Sequence, residues 1–227
     1  MNNEKNMQLA LLSDPSSANG IKAIQQILAA QKKGFCKIGY IASEPEPDRD
    51  YFRQTQALYH KLGAQLDDFL ELEAGFDEKV FVELLSCDVI HLAGGDTFRF
   101  LNGLTQRGCL PRLREYASQG GGVIGVSAGA MIMTPSIESA MLCGDRNDVG
   151  LKSLFSLSLT EFHFMPHLPS GFNTPVDFIT ALRKKGTKFD DRSFERLYLC
   201  QDNAALTLID GDINELGAPL LWTRCVA

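Results

Sequence analysis

Apolar runs alternate with amphipathic stretches along the first 130 residues, and this alternation restricts the chain to few folds. Gln8–Leu12 reads as a buried strand, and residues 19–33, opened by Asn19-Gly20 and closed by Gly34, as the helix that follows. Residues 37–42 form the second expected strand. Pro47 and Asp48 open a helix that stops at Gly63. A third strand over 66–70, a helix over 77–85 and a fourth strand over 89–92 follow. That strand ends in Gly94-Gly95-Asp96-Thr97 and a helix through Arg107. A helix from Pro111 to Gln119 then leads through Gly120-Gly121 into Gly122-Val123-Ile124. Strands and helices in this order require right-handed parallel crossovers, which cover a sheet on both faces. The expected fold class is α/β, a three-layer α/β/α arrangement around a mostly parallel central sheet.

The C-terminal part reads differently. Residues 157–160, 197–199, 204–209 and 220–223 are short and strand-like, with a turn at Asp210-Gly211-Asp212, and are expected to add antiparallel pairs at one edge. No Pro- or Ser-rich linker, repeat or low-complexity stretch interrupts the chain, so a single domain over residues 1–227 is expected. With 44% hydrophobic residues, a chain of this length can bury one substantial core. A net charge of −6 argues against nucleic-acid or anionic-membrane partners, which want a basic face. No apolar run approaches the roughly 20 residues of a membrane span. The polar start Met1-Asn2-Asn3-Glu4-Lys5-Asn6 lacks a signal-peptide apolar stretch, so a cytoplasmic protein is expected. The six cysteines, Cys36, Cys87, Cys109, Cys143, Cys200 and Cys225, form no Cys-x-x-Cys pair and have no histidine at zinc-ligand spacing. They read as reduced, packed thiols, and neither metal nor organic cofactor is implied.

Chemistry enters with Gly125-Val126-Ser127-Ala128-Gly129, which has the pattern of a nucleophile elbow. A tight strand-to-helix turn pushes one serine out at its tip, and its flanks must have almost no side chain. A helix starting beneath the serine would offer unpaired amides to developing negative charge. Gly94-Gly95 forms a second glycine turn before a helix, at another strand's carboxyl end, where ligands gather in doubly wound sheets. Two converging donors make an oxyanion hole, and the amides of Gly95 and Ala128, with Gly94 beside them, are the candidates; a plain strand-to-helix turn is the alternative at Gly94-Gly95.

A serine hydroxyl needs a base, and the chain has four histidines. His60 falls in an expected surface helix and His91 in the middle of a strand. His163 alternates with Phe162 and Phe164 and reads as a packing residue. His167, between Pro166 and Pro169, sits in a stiff loop that can fix a side chain, and is the candidate base. Asp202, between two apolar strands, is the candidate carboxylate that orients it, with Asp145 and Asp148 as rivals.

Three motifs in order, Ala93-Gly94-Gly95-Asp96-Thr97-Phe98, Gly125-Val126-Ser127-Ala128-Gly129-Ala130 and Met165-Pro166-His167, resemble those of the peptidase E family of serine peptidases. The similarity runs along nearly the whole chain, from the opening strand at Leu9 onward. It implies a class I glutamine amidotransferase-like fold, Ser127 as nucleophile, His167 as general base, and oxyanion amides on Gly95 and Ala128. It places the acidic member in the late strand-turn, usually a glutamate, where Asp202 stands one methylene shorter. The implied activity is a serine exopeptidase or dipeptidase acting on small peptides, Asp-X dipeptides among them, with a homodimer open as a base-rate expectation. The family's dipeptidases carry an arginine-rich segment after the histidine motif; here no arginine precedes Arg183. Arg146, Arg183 and Arg192 are the remaining candidates for a carboxylate partner, each equally readable as a solvated surface charge. A carboxylesterase, with Asp145 or Asp148 as its acid, and a catalytically inactive binding protein on the same fold are the alternatives.

Overall fold

The computed structural model describes residues 7–186 and 189–224, so Cys225 and the polar N-terminal six residues lie outside the described residues. The first half alternates as expected: β1 (Gln8–Leu12), α1 (Ala18–Ala30), β2 (Lys37–Ile41), α2 (Asp50–Lys61), β3 (Gln65–Leu70), α3 (Glu78–Leu84), β4 (Val89–Leu92), α4 (Thr97–Gln106), α5 (Cys109–Ser118) and β5 (Gly122–Val126). There follow α6 (Ala128–Ile132), α7 (Ala140–Cys143), β6 (His163–Met165), α8 (Pro175–Lys184), β7 (Arg196–Leu199), β8 (Ala205–Ile209), β9 (Asp212–Leu216) and β10 (Leu220–Thr223). A seven-stranded sheet runs in the order β3-β2-β4-β5-β1-β8-β9. Its first five strands pair in parallel, and β8 and β9 add antiparallel at the β1 edge.

The period of two along each strand divides the core into two layers. On β1, Leu9 and Leu11 join Ile90, Leu92 and the helix residues Phe81, Phe98 and Leu113 on one face. Ala10 and Leu12 join Ile124 and the residues Ile24, Ile27 and Tyr59 of α1 and α2 on the other. Local chemistry starts the helices: the side chains of Ser17, Asp77, Asp96 and Thr174 each cap an amide of the first turn.

Several boundaries depart from expectation, each for a local reason. The helix expected from Pro47 begins at Asp50 because the Glu46 carboxylate takes the Phe52 amide at 3.0 Å, capping from outside, while residues 46–49 turn. The helix expected from Pro111 begins at Cys109; Pro111 sits in the first turn, where a missing N–H breaks no helical bond. Residues 157–160 are not a strand. Ser158 has φ +49°, and the amides of Leu157, Ser158 and Leu159 bond Ile132, Thr134 and Met133 carbonyls at the end of α6. Their alternating leucines fill the core beside a helix terminus.

The C-terminal strands divide between two sheets instead of all extending one edge. β7 pairs in parallel with β6 and antiparallel with β10 in a separate three-stranded sheet. Burial explains the split. Tyr198 of β7 faces the main core with Phe162 and Phe164, whereas Leu197 and Leu199 face a third cluster with Phe178 and Leu182 of α8. The small sheet is thus covered on both sides without joining the large one.

Candidate active site

Ser127 stands at the end of β5 with φ +50° and ψ −106°, a conformation that L-residues rarely adopt. Such strain costs on the order of 1–3 kcal/mol and persists only where the surroundings hold it. Here the Ser127 amide donates to the Leu12 carbonyl at 2.8 Å and the Gly129 amide to Ala93 at 3.0 Å. The flanking glycines are sterically required: a Cβ on Gly125 would lie 2.5 Å from the Gly129 carbonyl oxygen, and one on Gly129 would lie 2.2 Å from that of Leu92. The helix beneath, α6, has only five residues, so individual amides rather than a long helix's dipole face the serine.

The small sheet brings the other two candidates together. Met165 pairs with Leu199 in parallel, the Cys200 amide bonds Met165 and the Leu168 amide bonds Cys200, each at 2.9 Å. The segments leaving β6 and β7 therefore run side by side, carrying His167 and Asp202. His167 Nδ1 lies 2.6 Å from Asp202 Oδ1 and Nε2 lies 2.9 Å from Ser127 Oγ. A carboxylate can only accept, so Nδ1–H donates to it and Nε2 is left to accept the serine proton. His167 has φ +56°, held by the adjoining strand bonds. The Ser13 hydroxyl, just beyond β1, donates to the Cys200 carbonyl at 3.1 Å and ties this sheet to the main one.

The Gly94-Gly95 turn borders the same serine. An added Cβ on Gly94 would lie 3.6 Å from Ser127 Cβ. Gly95 has φ +130°, and a Cβ there would meet Ser43 Oγ at 2.2 Å. Ser43, buried, donates to the Gly94 carbonyl at 2.6 Å. No acceptor among the described residues takes the Gly95 or Ala128 amide proton.

Two cavities meet at Ser127, His167 and Gly95. One, of about 330 Å³, is lined by α8 and the segments around β6; the other, of about 850 Å³, runs along the loops after β1 and β2. Asp145 lines the smaller cavity. Its carboxylate accepts from Thr97 Oγ1 at 2.7 Å, and burial raises its pKa above the ordinary aspartate value. It makes no hydrogen bond to His167, and Asp148 is exposed and lines neither cavity. The position of Asp202 was readable from the sequence, whereas Asp145 as a cavity carboxylate and Ser43 beside the glycine turn were not.

The remaining candidates lie elsewhere. His60 is exposed on α2. His91 is buried, 3.0 Å from the Tyr59 hydroxyl, and burial pushes its pKa down to about 3. His163 lies 3.1 Å from Ser136 Oγ, with its pKa lowered to about 4 by burial, and packs its ring against Phe194. Arg192 pairs with Asp190, Arg183 packs over the Phe189 ring, Arg146 is exposed, and none of the three lines either cavity. Cys143 does line the smaller cavity, but burial pushes its thiol up to about 12, far from a nucleophilic thiolate. No group of three or more His, Cys, Asp or Glu able to hold a metal occurs among the described residues, and no described helix is long and apolar enough to cross a membrane.

The sequence profile of peptidase family S51 matches residues 9–216. An uncharacterized peptidase of Pasteurella multocida is 28% identical over 144 residues, 63% of this chain and 67% of its own length. An uncharacterized peptidase of Listeria monocytogenes is 32% identical over 140 residues, 61% of this chain and 66% of that one. Peptidase E of Shigella flexneri is 28% identical over 124 residues, 54% of this chain, so the match spans about half (52%) of that relative's length. A crystal structure provisionally assigned as peptidase E from Listeria monocytogenes EGD-e superposes with a TM-score of 0.67 at 22% identity, covering 96% of this chain and 99% of that one. A peptidase from an acI-B1 actinobacterium gives 0.62 at 18% identity, covering 97% and 98%. These two likenesses concern the fold. With the profile matched over most of its length, the chain belongs to peptidase family S51, the serine peptidases.

Proposed function

We propose that this chain is a serine exopeptidase that hydrolyses small peptides through an acyl-enzyme on Ser127. Ser127 Oγ attacks the peptide carbonyl while its proton passes to His167 Nε2. The amides of Gly95 and Ala128 receive the oxyanion, a contribution of roughly 3–4 kcal/mol per donor in comparable enzymes. As the tetrahedral intermediate collapses, His167 gives the proton to the leaving amine; it then draws a proton from the water that attacks the acyl carbonyl and returns it to Ser127 Oγ as the acyl–oxygen bond breaks. Asp202 keeps Nδ1–H of His167 in place and stabilises the imidazolium. The observation that carries this reading is the continuous hydrogen-bonded chain from Ser127 through His167 to Asp202.

Exopeptidase action is supported by the smaller cavity. Ser127 and the half-buried Asp145 line it together, and the Asp145 carboxylate is a counter-charge for the free ammonium of a substrate's first residue. The larger cavity is open and takes the leaving portion. An esterase with its acid between serine and histidine loses support, because Asp145 is engaged by Thr97 and Asp202 occupies Nδ1.

The test is covalent labelling by a serine-directed fluorophosphonate alongside dipeptide hydrolysis. Wild type should label and cleave, and Ser127→Ala should do neither. Asp202→Ala should lower kcat by up to about 10⁴-fold. Asp145→Asn should raise KM by about 10-fold or more with a smaller change in kcat, and Asp148→Ala should change neither. Folded wild type that neither labels nor cleaves any peptide would leave a binding protein as the better reading.

A further inference from the structure

We propose that the smaller cavity beside Ser127 selects an apolar side chain on the residue whose carbonyl is attacked, in place of an aspartate. This inference rests on the peptidase reading of Ser127. At about 330 Å³ the cavity is at the small end of ligand sites, room for one residue and no longer chain. Its walls are supplied by Met131, Leu142, Met165, Phe172, Phe178 and Leu182, contributed by α6, α7, β6 and α8 and the loop before α8. Five of these, Met131, Met165, Phe178, Leu142 and Leu182, are at most 9% exposed, so the surface offered to a ligand is a continuation of the core.

The polar groups in the cavity argue in the same direction. An aspartate side chain entering it would leave a carboxylate among apolar walls, which is unfavourable without a paired cation. The carboxylate already present, Asp145, would repel it. The one lysine at the lining, Lys185, is exposed just past the end of α8, where solvent screens its charge. Arg146, Arg183 and Arg192 are absent from the lining. A leucine, methionine or phenylalanine side chain meets none of these penalties. Two methionine walls, unbranched and polarizable, can adjust to each of those shapes.

The assay compares Leu-Ala, Met-Ala, Phe-Ala and Asp-Ala with the intact chain, Ser127→Ala run beside it. Hydrophobic pockets discriminate by about 10–200-fold per methylene, so kcat/KM for Leu-Ala or Met-Ala should exceed that for Asp-Ala by at least about 100-fold. Equal or better cleavage of Asp-Ala overturns the inference. Phe172→Arg tests the wall itself at a half-buried loop position whose ring packs edge-on against Phe178, and an unchanged urea midpoint separates a change in selection from a loss of folding. The substitution should lower Leu-Ala turnover by about tenfold and raise that of Asp-Ala; an unchanged ratio counts against the cavity as the selector. The two readings fail separately. Ser127-dependent cleavage with aspartate preferred sinks only the apolar selection, whereas absent labelling and absent turnover of every peptide sink both.

Discussion

Ser43 lies just beyond β2, and its hydroxyl holds the Gly94 carbonyl at 2.6 Å. In a trans peptide the carbonyl and the following N–H point in opposite directions, so anchoring that oxygen also aims the Gly95 amide away from Ser43. Gly95, with φ +130° and no Cβ, has no barrier of its own against turning that peptide plane over. Ser43→Ala should therefore lower kcat by about 10–100-fold, short of the 10²–10³ for deleting a donor outright, while KM changes little. Steady-state kinetics on one dipeptide distinguish this from a folding defect, which would scale active enzyme without a fixed kcat effect per labelled site. The triad candidates were legible because Ser127 and His167 sit in short motifs with a physical reason for every glycine and proline. Ser43 was not, because nothing local marks a serine whose partner is 51 residues away.

Among elements, the turn between β5 and α6 is tightly specified. The backbone of Gly129 lies against the end of β4, and an added methyl would sit 2.2 Å from a backbone oxygen that has no rotamer to yield. Gly129→Ala should cost about 1–3 kcal/mol of stability, the range of overpacked sites, read as a lower urea midpoint, and should displace Ser127 from His167, read as lost labelling. The parallel half of the sheet was legible for a related reason: apolar strands such as β1 and β4 each lead into a helix capped by a local side chain, Ser17 for α1 and Asp96 for α4. The small sheet was not. The tripeptide strand β6 and the tetrapeptide β7 are buried, and β10 is apolar in sequence but only half-buried, and none carries a record of which edge it joins. β9 carried no signal at all, since only Leu216 of its five residues is buried. Residues 157–160 show the converse, an alternating apolar pattern that serves a helix terminus.

At the scale of the molecule, two buried histidines couple folding to pH. Burial lowers the pKa of His91 to about 3 and of His163 to about 4, from an ordinary 6.5. In the unfolded chain both take up a proton as pH drops below 6.5, while the folded chain keeps them neutral, so the unfolded state binds more protons. Stability present above that pH is therefore lost as pH falls from 6.5 toward 4, with a limiting slope of about 1.4 kcal/mol per pH unit per histidine. Urea titrations across that window should show the decline, and His91→Gln should flatten it. The assembly of the catalytic chain belongs to this scale too. Ser127 stands at the end of a large-sheet strand, and His167 and Asp202 on segments that leave the small sheet, so the proposed relay spans two sheets that share a core through Phe164 and Tyr198. On the proposed mechanism its continuity is a gauge of their alignment: a slip of one ångström between them would cost about 10²-fold in rate while every strand stayed paired, so activity would be lost without any unfolding.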